Sequence, residues 1–381
     1  MKYCSHCGKP VKETAKFCPS CGNPLPVTTP AATSAPAPTN PVAGQTANQP
    51  VKGLYDSATA KLNQYTGEEG AVKVNLSALF SEVFKHHTKD EANSIFIAGT
   101  KTTTPALADV SDEWAKPWLF SRVLLGFLIA FAALLYMADA FHNSNAIAGL
   151  ILVGAFAVPF SGLVFFFEAD AFKDISLFEI VKVFFIGGIF SLIVTLFFYQ
   201  FVSFSDNSQI YGVLTLKDSL SIGIVEELGK VLIVTYFISQ LNAKHILDGL
   251  LIGAAVGAGF AAFETAGYIY NAEGQLVAVA ILRGWSAIGG HLVWAAITGG
   301  ALMIVKRAQP FKFSQLLDGR FLVFFALAVA MHAAWDWDIV LLGSPYLKLI
   351  LLIVVAWIVI FVLMNAGLKE IGHLKQGEQP V

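Results

Sequence analysis

Seven ionisable residues stand out within the apolar C-terminal two thirds of the 381-residue chain. They are Glu226, Glu227 and Lys230 in one run, then Glu264, then His291, then His332 and Asp336. Glu226 and Lys230 are four residues apart, as are Phe260 and Glu264, and His332 and Asp336, so on helices each pair shares a face. A charge inside a bilayer costs about 2.5–3.5 kcal/mol on insertion scales and so needs a partner or a purpose. A carboxylate in a water-accessible membrane cavity can act as general base on a water molecule. Histidines opposite can donate hydrogen bonds to a developing oxyanion, or bind a metal that polarises a carbonyl. Lys230, one turn from the acid pair, supplies the counter-charge. Together these groups can hydrolyse a peptide bond inside a membrane.

A second set opens the chain. Cys4-Ser5-His6-Cys7-Gly8 and Cys18-Pro19-Ser20-Cys21-Gly22 are CxxC pairs with ten residues between them. The glycines permit tight turns that leave backbone N–H groups for the sulfurs. Four thiolates so spaced suit tetrahedral Zn²⁺, so Cys4, Cys7, Cys18 and Cys21 are expected to hold a structural zinc in a ribbon. Two disulfides would need an oxidising compartment, and the opening residues carry no apolar signal-peptide run. A ribbon this small is expected to nucleate folding or to dock a protein partner. Lys2, Lys9, Lys12 and Lys16 are too few to argue for nucleic acid.

The elements that position these groups follow from composition. The chain is 55% hydrophobic and 14% charged, with 31 phenylalanines and a net charge of -2. Soluble domains average about 25% charged residues, so an ordinary soluble enzyme or a disordered chain is excluded. Apolar runs at 118–139, 146–167, 180–203, 219–240, 247–270, 285–305, 321–342 and 346–367 each approach the roughly 20 residues that span a bilayer. The expected fold is an all-α polytopic membrane protein of about eight transmembrane helices, with a small four-cysteine zinc ribbon on a disordered tether. The expected organisation is ribbon at 1–25, Pro/Ala/Thr linker at 26–50, soluble segment at 51–115, membrane domain at 116–370 and cytosolic tail at 371–381. In the soluble segment, Leu76, Leu79, Phe80, Val83 and Phe84 recur at helical spacing, predicting an amphipathic helix over 75–87 with His86 and His87 solvated at its end. Thr88-Lys89-Asp90-Glu91 predicts a capping box opening a second helix through Ile97.

Loop charges set an orientation. With the ribbon in the cytosol, cytoplasmic loops hold Lys101, Lys116, Lys173, Lys244, Lys306, Arg307, Lys312, Arg320, Lys369 and Lys375, while outer loops hold chiefly Lys217, Arg283 and Lys348. This obeys the positive-inside rule and puts both termini in the cytosol. So threaded, Glu226, Glu227, Glu264, His291 and Asp336 all lie about two turns from the outer ends of their spans, and His332 one turn deeper. Taken singly, each has a plainer reading: a satisfied ion pair, a relay acid, a hydrogen-bonded packing histidine. The tryptophans Trp285, Trp294, Trp335 and Trp337 are expected as interface-belt and packing groups. The shared depth argues for a joint site.

In their order on successive helices, Glu226-Glu227-x-x-Lys230, Phe260-x-x-x-Glu264, His291 and His332-x-x-x-Asp336 resemble the PrsW family of intramembrane proteases, within the CAAX protease and bacteriocin-processing superfamily. The resemblance covers roughly 115–370 and takes in the stretch from Phe167-Glu168-Ala169-Asp170 to Glu179. The prenyl-protease branch differs: it carries a basic residue where this chain has Val231, and His in place of Glu264. The resemblance implies a bacterial cell-membrane protein that cleaves a membrane-anchored substrate such as an anti-sigma factor. It implies that Glu226 and Glu227 supply the general base, and that Glu264, His291 and His332 bind a catalytic zinc or stabilise the oxyanion without metal. The ribbon resembles the zinc-ribbon modules fused to many bacterial membrane proteins.

Two other function classes fit some of these residues. An ion-coupled transporter or channel would use Glu264 and Lys230 as relay groups, although no clear inverted repeat is present. A catalytically silent scaffold would sense through the ribbon.

Overall fold

A computed structural model of the chain describes residues 2–3, 10–11, 49–272 and 274–377. The chain divides into two units, Met1–Gln49 and Pro50–Val381. In the first, strand β1 (Lys2–Tyr3) pairs antiparallel with β2 (Pro10–Val11), Lys2 opposite Val11. The ribbon cysteines and most of the expected tether lie outside the described residues.

The second unit opens on helix α1 (Gln49–Thr66), where a soluble segment without this helix was expected. Its buried residues Thr59, Asn63 and Thr66 are polar, so it lacks an apolar stripe. Two of them bond to the chain that follows: Asn63 Nδ2 donates to Gly70 O, and Val72 N donates to Thr59 Oγ1; Thr66 Oγ1 donates back to Asn63 O. The predicted helix over 75–87 is a correction in the other direction. Only α2 (Leu76–Leu79) forms, capped by Asn75, and the chain then runs in turns. The apolar residues there divide between two surroundings. Phe80 packs on Phe120 and Phe165, whereas Phe84 is 95% exposed. His87 is also not solvated; it stacks on Trp118 at 3.8 Å. Helix α3 (Lys89–Ile95) carries the expected Thr88–Glu91 capping box.

The bundle comprises α4 (Leu119–Ala140), α5 (Asn145–Ala169), α6 (Leu177–Lys182), a π-helical turn (Val183–Gly187) leading into α7 (Gly188–Tyr199), short α8 (Asp206–Tyr211), and α9 (Leu216–Gln240). After these come α10 (Ile246–Tyr270), α11 (Leu276–Ser286), α12 (His291–Lys306), α13 (Gly319–Asp336) and α14 (Pro345–Lys375). Among the described residues, 7 spans are long and apolar enough to cross a membrane, with α6–α7 and α11–α12 each counted once. Helix α9 has 25 residues and the length of an eighth, but it carries the charged residues of the candidate site. The chain is an α-helical multi-pass membrane protein. Glu168, in the stretch between early spans, is a helix cap: it accepts hydrogen bonds from the N–H groups of Trp118, Leu119 and Phe120, each at 2.9 Å. The positive end of α4 is thereby met by a carboxylate.

Two spans differ from expectation, and both differences shape the site. The run expected at 285–305 is broken: α11 ends at Ser286, a 3₁₀ turn covers Ala287–Gly289, and α12 begins at His291. Gly289 allows the break, since a Cβ there would lie 2.8 Å from Ile353 Cα. His291 is therefore the first residue of its helix and not two turns inside one. The span expected at 321–342 ends at Asp336, where Trp337 leaves helical geometry. Lys348 Nζ holds that end by donating to the carbonyls of Trp335 and Trp337.

Helix α10 runs through the centre of the bundle and is buried along nearly its whole length. It meets α12 at backbone distance. A Cβ at Gly253 would lie 2.1 Å from Ala295 O, and one at Gly257 would lie 2.2 Å from His291 O. Small residues four apart let helices approach this closely in a membrane. The seam sets the height of His291 against α10.

Candidate active site

Helix α9 brings Glu226, Glu227 and Lys230 to the interior; Glu227 and Lys230 are fully buried. Lys230 Nζ donates to Glu227 Oε1 at 2.8 Å, and lies 3.4 Å from Glu226 Oε2 and 2.8 Å from His291 Nδ1. It also lies 4.2 Å from the centroid of the Phe260 ring, which explains the aromatic four residues before Glu264. An ammonium only donates, so His291 Nδ1 accepts. The proton of His291 is then on Nε2, which donates to Glu264 Oε2 at 2.9 Å.

His332, from α13, mirrors this arrangement. Its Nδ1 is 2.8 Å from Glu227 Oε1. Its Nε2 is 3.6 Å from Glu226 Oε2 and 3.3 Å from Asp336 Oδ2. Each ring thus turns one nitrogen to an outer carboxylate and the other toward Glu226, whose Oε2 is 3.9 Å from His291 Nδ1. Glu226, His291 and His332 offer ligand atoms that all lie within 4.8 Å of one another. The geometry brings together all seven residues singled out in the membrane domain. It separates Glu264 from the convergent group, on the far side of the His291 ring.

Other residues complete the site. Tyr199 donates its hydroxyl to Glu226 Oε1 at 2.7 Å. Arg283 donates to Glu264 Oε2 at 2.5 Å. Trp294, expected among packing and belt groups, is fully buried and stacks on His332 at 4.5 Å. Tyr199 sits in an apolar, aromatic run without helical periodicity of polar groups, and nothing in that pattern marks it. Arg283 counted as an outer-loop charge; its position eight residues before His291 is the only signal it offered. A cavity of about 410 Å³ adjoins the cluster and is lined by Arg283, His291, Trp294, Trp335, Asp336 and Lys348, among others. Two buried polar atoms at the cluster have no hydrogen-bond partner, Glu227 Oε2 and Trp294 Nε1.

Residues 178–364 match the PrsW family intramembrane metalloprotease, and residues 3–25 match a zinc-ribbon domain. The membrane domain belongs to the PrsW family. The matched stretch runs from α6 into α14 and contains all seven site residues together with Tyr199 and Arg283. This PrsW domain is that of an intramembrane protease, preceded in the chain by a zinc ribbon. No curated protein and no solved structure matches the chain.

Proposed function

We propose that the chain cleaves membrane-anchored proteins at the cavity beside His291 and Asp336, using Glu226, His291 and His332 as its centre. The convergence of these three side chains within 4.8 Å carries the reading. One carboxylate and two imidazoles are the donor set of a catalytic zinc, and Glu264 and Glu227 are the carboxylates that hydrogen-bond the far nitrogens of the two rings. Glu226, His291 and His332 would hold the ion, which supplies a polarised carbonyl and a more acidic water.

The chain's own groups divide the remaining work. Glu264 and Glu227 fix the two rings. Tyr199 holds Glu226 Oε1, leaving Oε2 toward the rings. Lys230 balances the two glutamates in a buried site. Asp336 lines the cavity and lies 3.3 Å from His332 Nε2, so its carboxylate is suited to take the proton of the attacking water and return it to the leaving amine.

A second reading rests on Lys230. Its ammonium, 2.8 Å from His291 Nδ1 and 3.4 Å from Glu226 Oε2, occupies the space between those two side chains. In that reading Glu226 itself is the base on water, and His291 and His332 stabilise the oxyanion without metal. The test is cleavage of a single-span substrate by the reconstituted chain, paired with metal analysis. One zinc beyond the ribbon's, lost in His291→Ala, supports the first reading. Full activity with zinc only in the ribbon supports the second.

The loop charges support an orientation with ribbon and C-terminus cytosolic, and the likeness to PrsW proteases supports a bacterial cell membrane and a regulator such as an anti-sigma factor as substrate class. Structural zinc on Cys4, Cys7, Cys18 and Cys21, with a protein partner for the ribbon, completes the proposal. Protease-protection mapping of both termini tests the orientation.

A further inference from the structure

A second group of metal-ligating side chains lies at the other end of α10. Glu264 is near the C-terminal end of that helix and Asp248 is in its first turn, 16 positions earlier, or about 24 Å along the axis. Asp174, His245 and Asp248 offer ligand atoms that all lie within 4.8 Å of one another. The three come from the connection between α5 and α6 and from the start of α10.

The bonding around them leaves lone pairs unused. Asp248 is fully buried. Its Oδ2 accepts from the N–H groups of Lys244 and His245, at 2.8 and 2.9 Å, and so caps α10. Its Oδ1 is buried without a hydrogen-bond partner. The same holds for Asp174 Oδ1 and for His245 Nδ1, which sits 3.6 Å from Glu370 Oε1. An unpaired buried carboxylate oxygen costs the full desolvation of that group, and each of the three residues holds one such unpartnered atom.

The neighbouring lysines do not relieve this. Lys306 Nζ donates to the carbonyls of Ala243 and Arg307, and Lys173 Nζ to those of Phe167 and Glu168. Among the described residues, no lysine forms an ion pair with Asp174 or Asp248. The donors are also held in place. The His245 ring stacks on Phe172 with centroids 3.5 Å apart, and Gly99 N donates to Lys173 O at 2.8 Å beside Asp174. Glu370, which accepts from Ile246 N at 2.9 Å, brings α14 to the same point.

We propose that Asp174, His245 and Asp248 form a second divalent-cation site, separate from the catalytic cluster. Two carboxylates and one imidazole suit Mn²⁺ or Zn²⁺, whose bonds to such ligands are about 2.0–2.2 Å, with water completing the shell. The ion clips the α5–α6 connection to the start of α10. Because α10 carries Glu264 and abuts His291, the clip fixes the helix against which His291 is set.

The probe is Mn²⁺ alone, which thiolate ribbons disfavour, added to the metal-stripped full-length chain in detergent. In equilibrium dialysis the His291→Ala/His332→Ala chain, with its catalytic cluster disabled, is expected to retain one Mn²⁺ per chain. Adding Asp174→Asn should weaken that binding at least tenfold. Asp174 lies on a connection and caps no helix, so this variant is the less disruptive one. His245→Gln is the second variant. Its spin-echo spectrum should lose the ¹⁴N coupling that the parent's Mn²⁺ shows, and its melting temperature should no longer rise with Mn²⁺. Failure of the His291→Ala/His332→Ala chain to bind Mn²⁺ overturns the proposal. So does binding that Asp174→Asn and His245→Gln each change by less than twofold. Neither result touches the protease reading, which the parent chain's cleavage activity tests separately.

Discussion

Lys230 Nζ and His291 Nδ1 meet at 2.8 Å, joining α9 to the first residue of α12 across 61 residues of sequence. The contact sets the tautomer of His291 and thereby its bond to Glu264. Lys230 is fully buried with Glu227 at 2.8 Å and Glu226 at 3.4 Å, so its removal leaves two buried acids without their cation.

Lys230→Met is therefore expected to cost about 3–5 kcal/mol, the range for breaking a buried pair from one side. Thermal unfolding in detergent reads it. Combining Lys230→Met with Glu227→Gln should recover part of the stability and none of the cleavage.

Tyr199→Phe removes the hydroxyl that holds Glu226 Oε1 and leaves the ring in place. Loss of one hydrogen bond to a charged group is worth about 1.5–3 kcal/mol. The expected result is a fall in cleavage rate of about tenfold or more in a variant that still elutes as folded protein, with a modest fall in melting temperature.

Gly257→Ala should act through packing. Its Cβ would meet His291 O at 2.2 Å, whereas Gly267, on the same helix, has nothing within 4 Å. Overpacking of this kind costs about 1–3 kcal/mol. Gly257→Ala is expected to lower both stability and cleavage, and Gly267→Ala to leave cleavage within about twofold.

Arg283 reaches Glu264 from α11 and lines the cavity. Arg283→Met frees Glu264 from its cation while the Glu264–His291 bond remains available. Steady-state kinetics on a single-span substrate should show kcat reduced about 10-fold or more, by the scale of charged hydrogen bonds, with folding retained.

Much of this site was legible because charge inside an apolar chain has so few innocent explanations. The i,i+4 pairs Glu226–Lys230 and His332–Asp336 announced shared faces, and the shared depth of the acids and histidines announced their meeting. Other features were hidden for physical reasons. The break before His291 falls inside an unbroken apolar run, and only the packing of Gly289 on Ile353 reveals it. The exchange of Glu226 for Glu264 in the convergent group depends on helix rotation, which no spacing rule specifies to the needed degree. Helix α1 was missed because its buried face is Thr59, Asn63 and Thr66, polar residues of which Thr59 and Asn63 bond to a following loop that sequence periodicity does not register. The end of α13 at Asp336 is set by Lys348 from the next helix, a contact across 13 residues.

In the proposed mechanism Glu226, His291 and His332 form one hydrolytic centre. The direct measurement is single-turnover cleavage of a single-span substrate by the full-length chain in proteoliposomes, comparing the parent with Glu226→Gln, His291→Ala and His332→Ala, each shown by elution and melting to be folded. Cleavage by the parent and a loss of at least about 100-fold in each variant are expected, the scale on which proton-transfer and electrostatic groups contribute. Folded Glu226→Gln that cleaves at more than a tenth of the parent rate contradicts this mechanism.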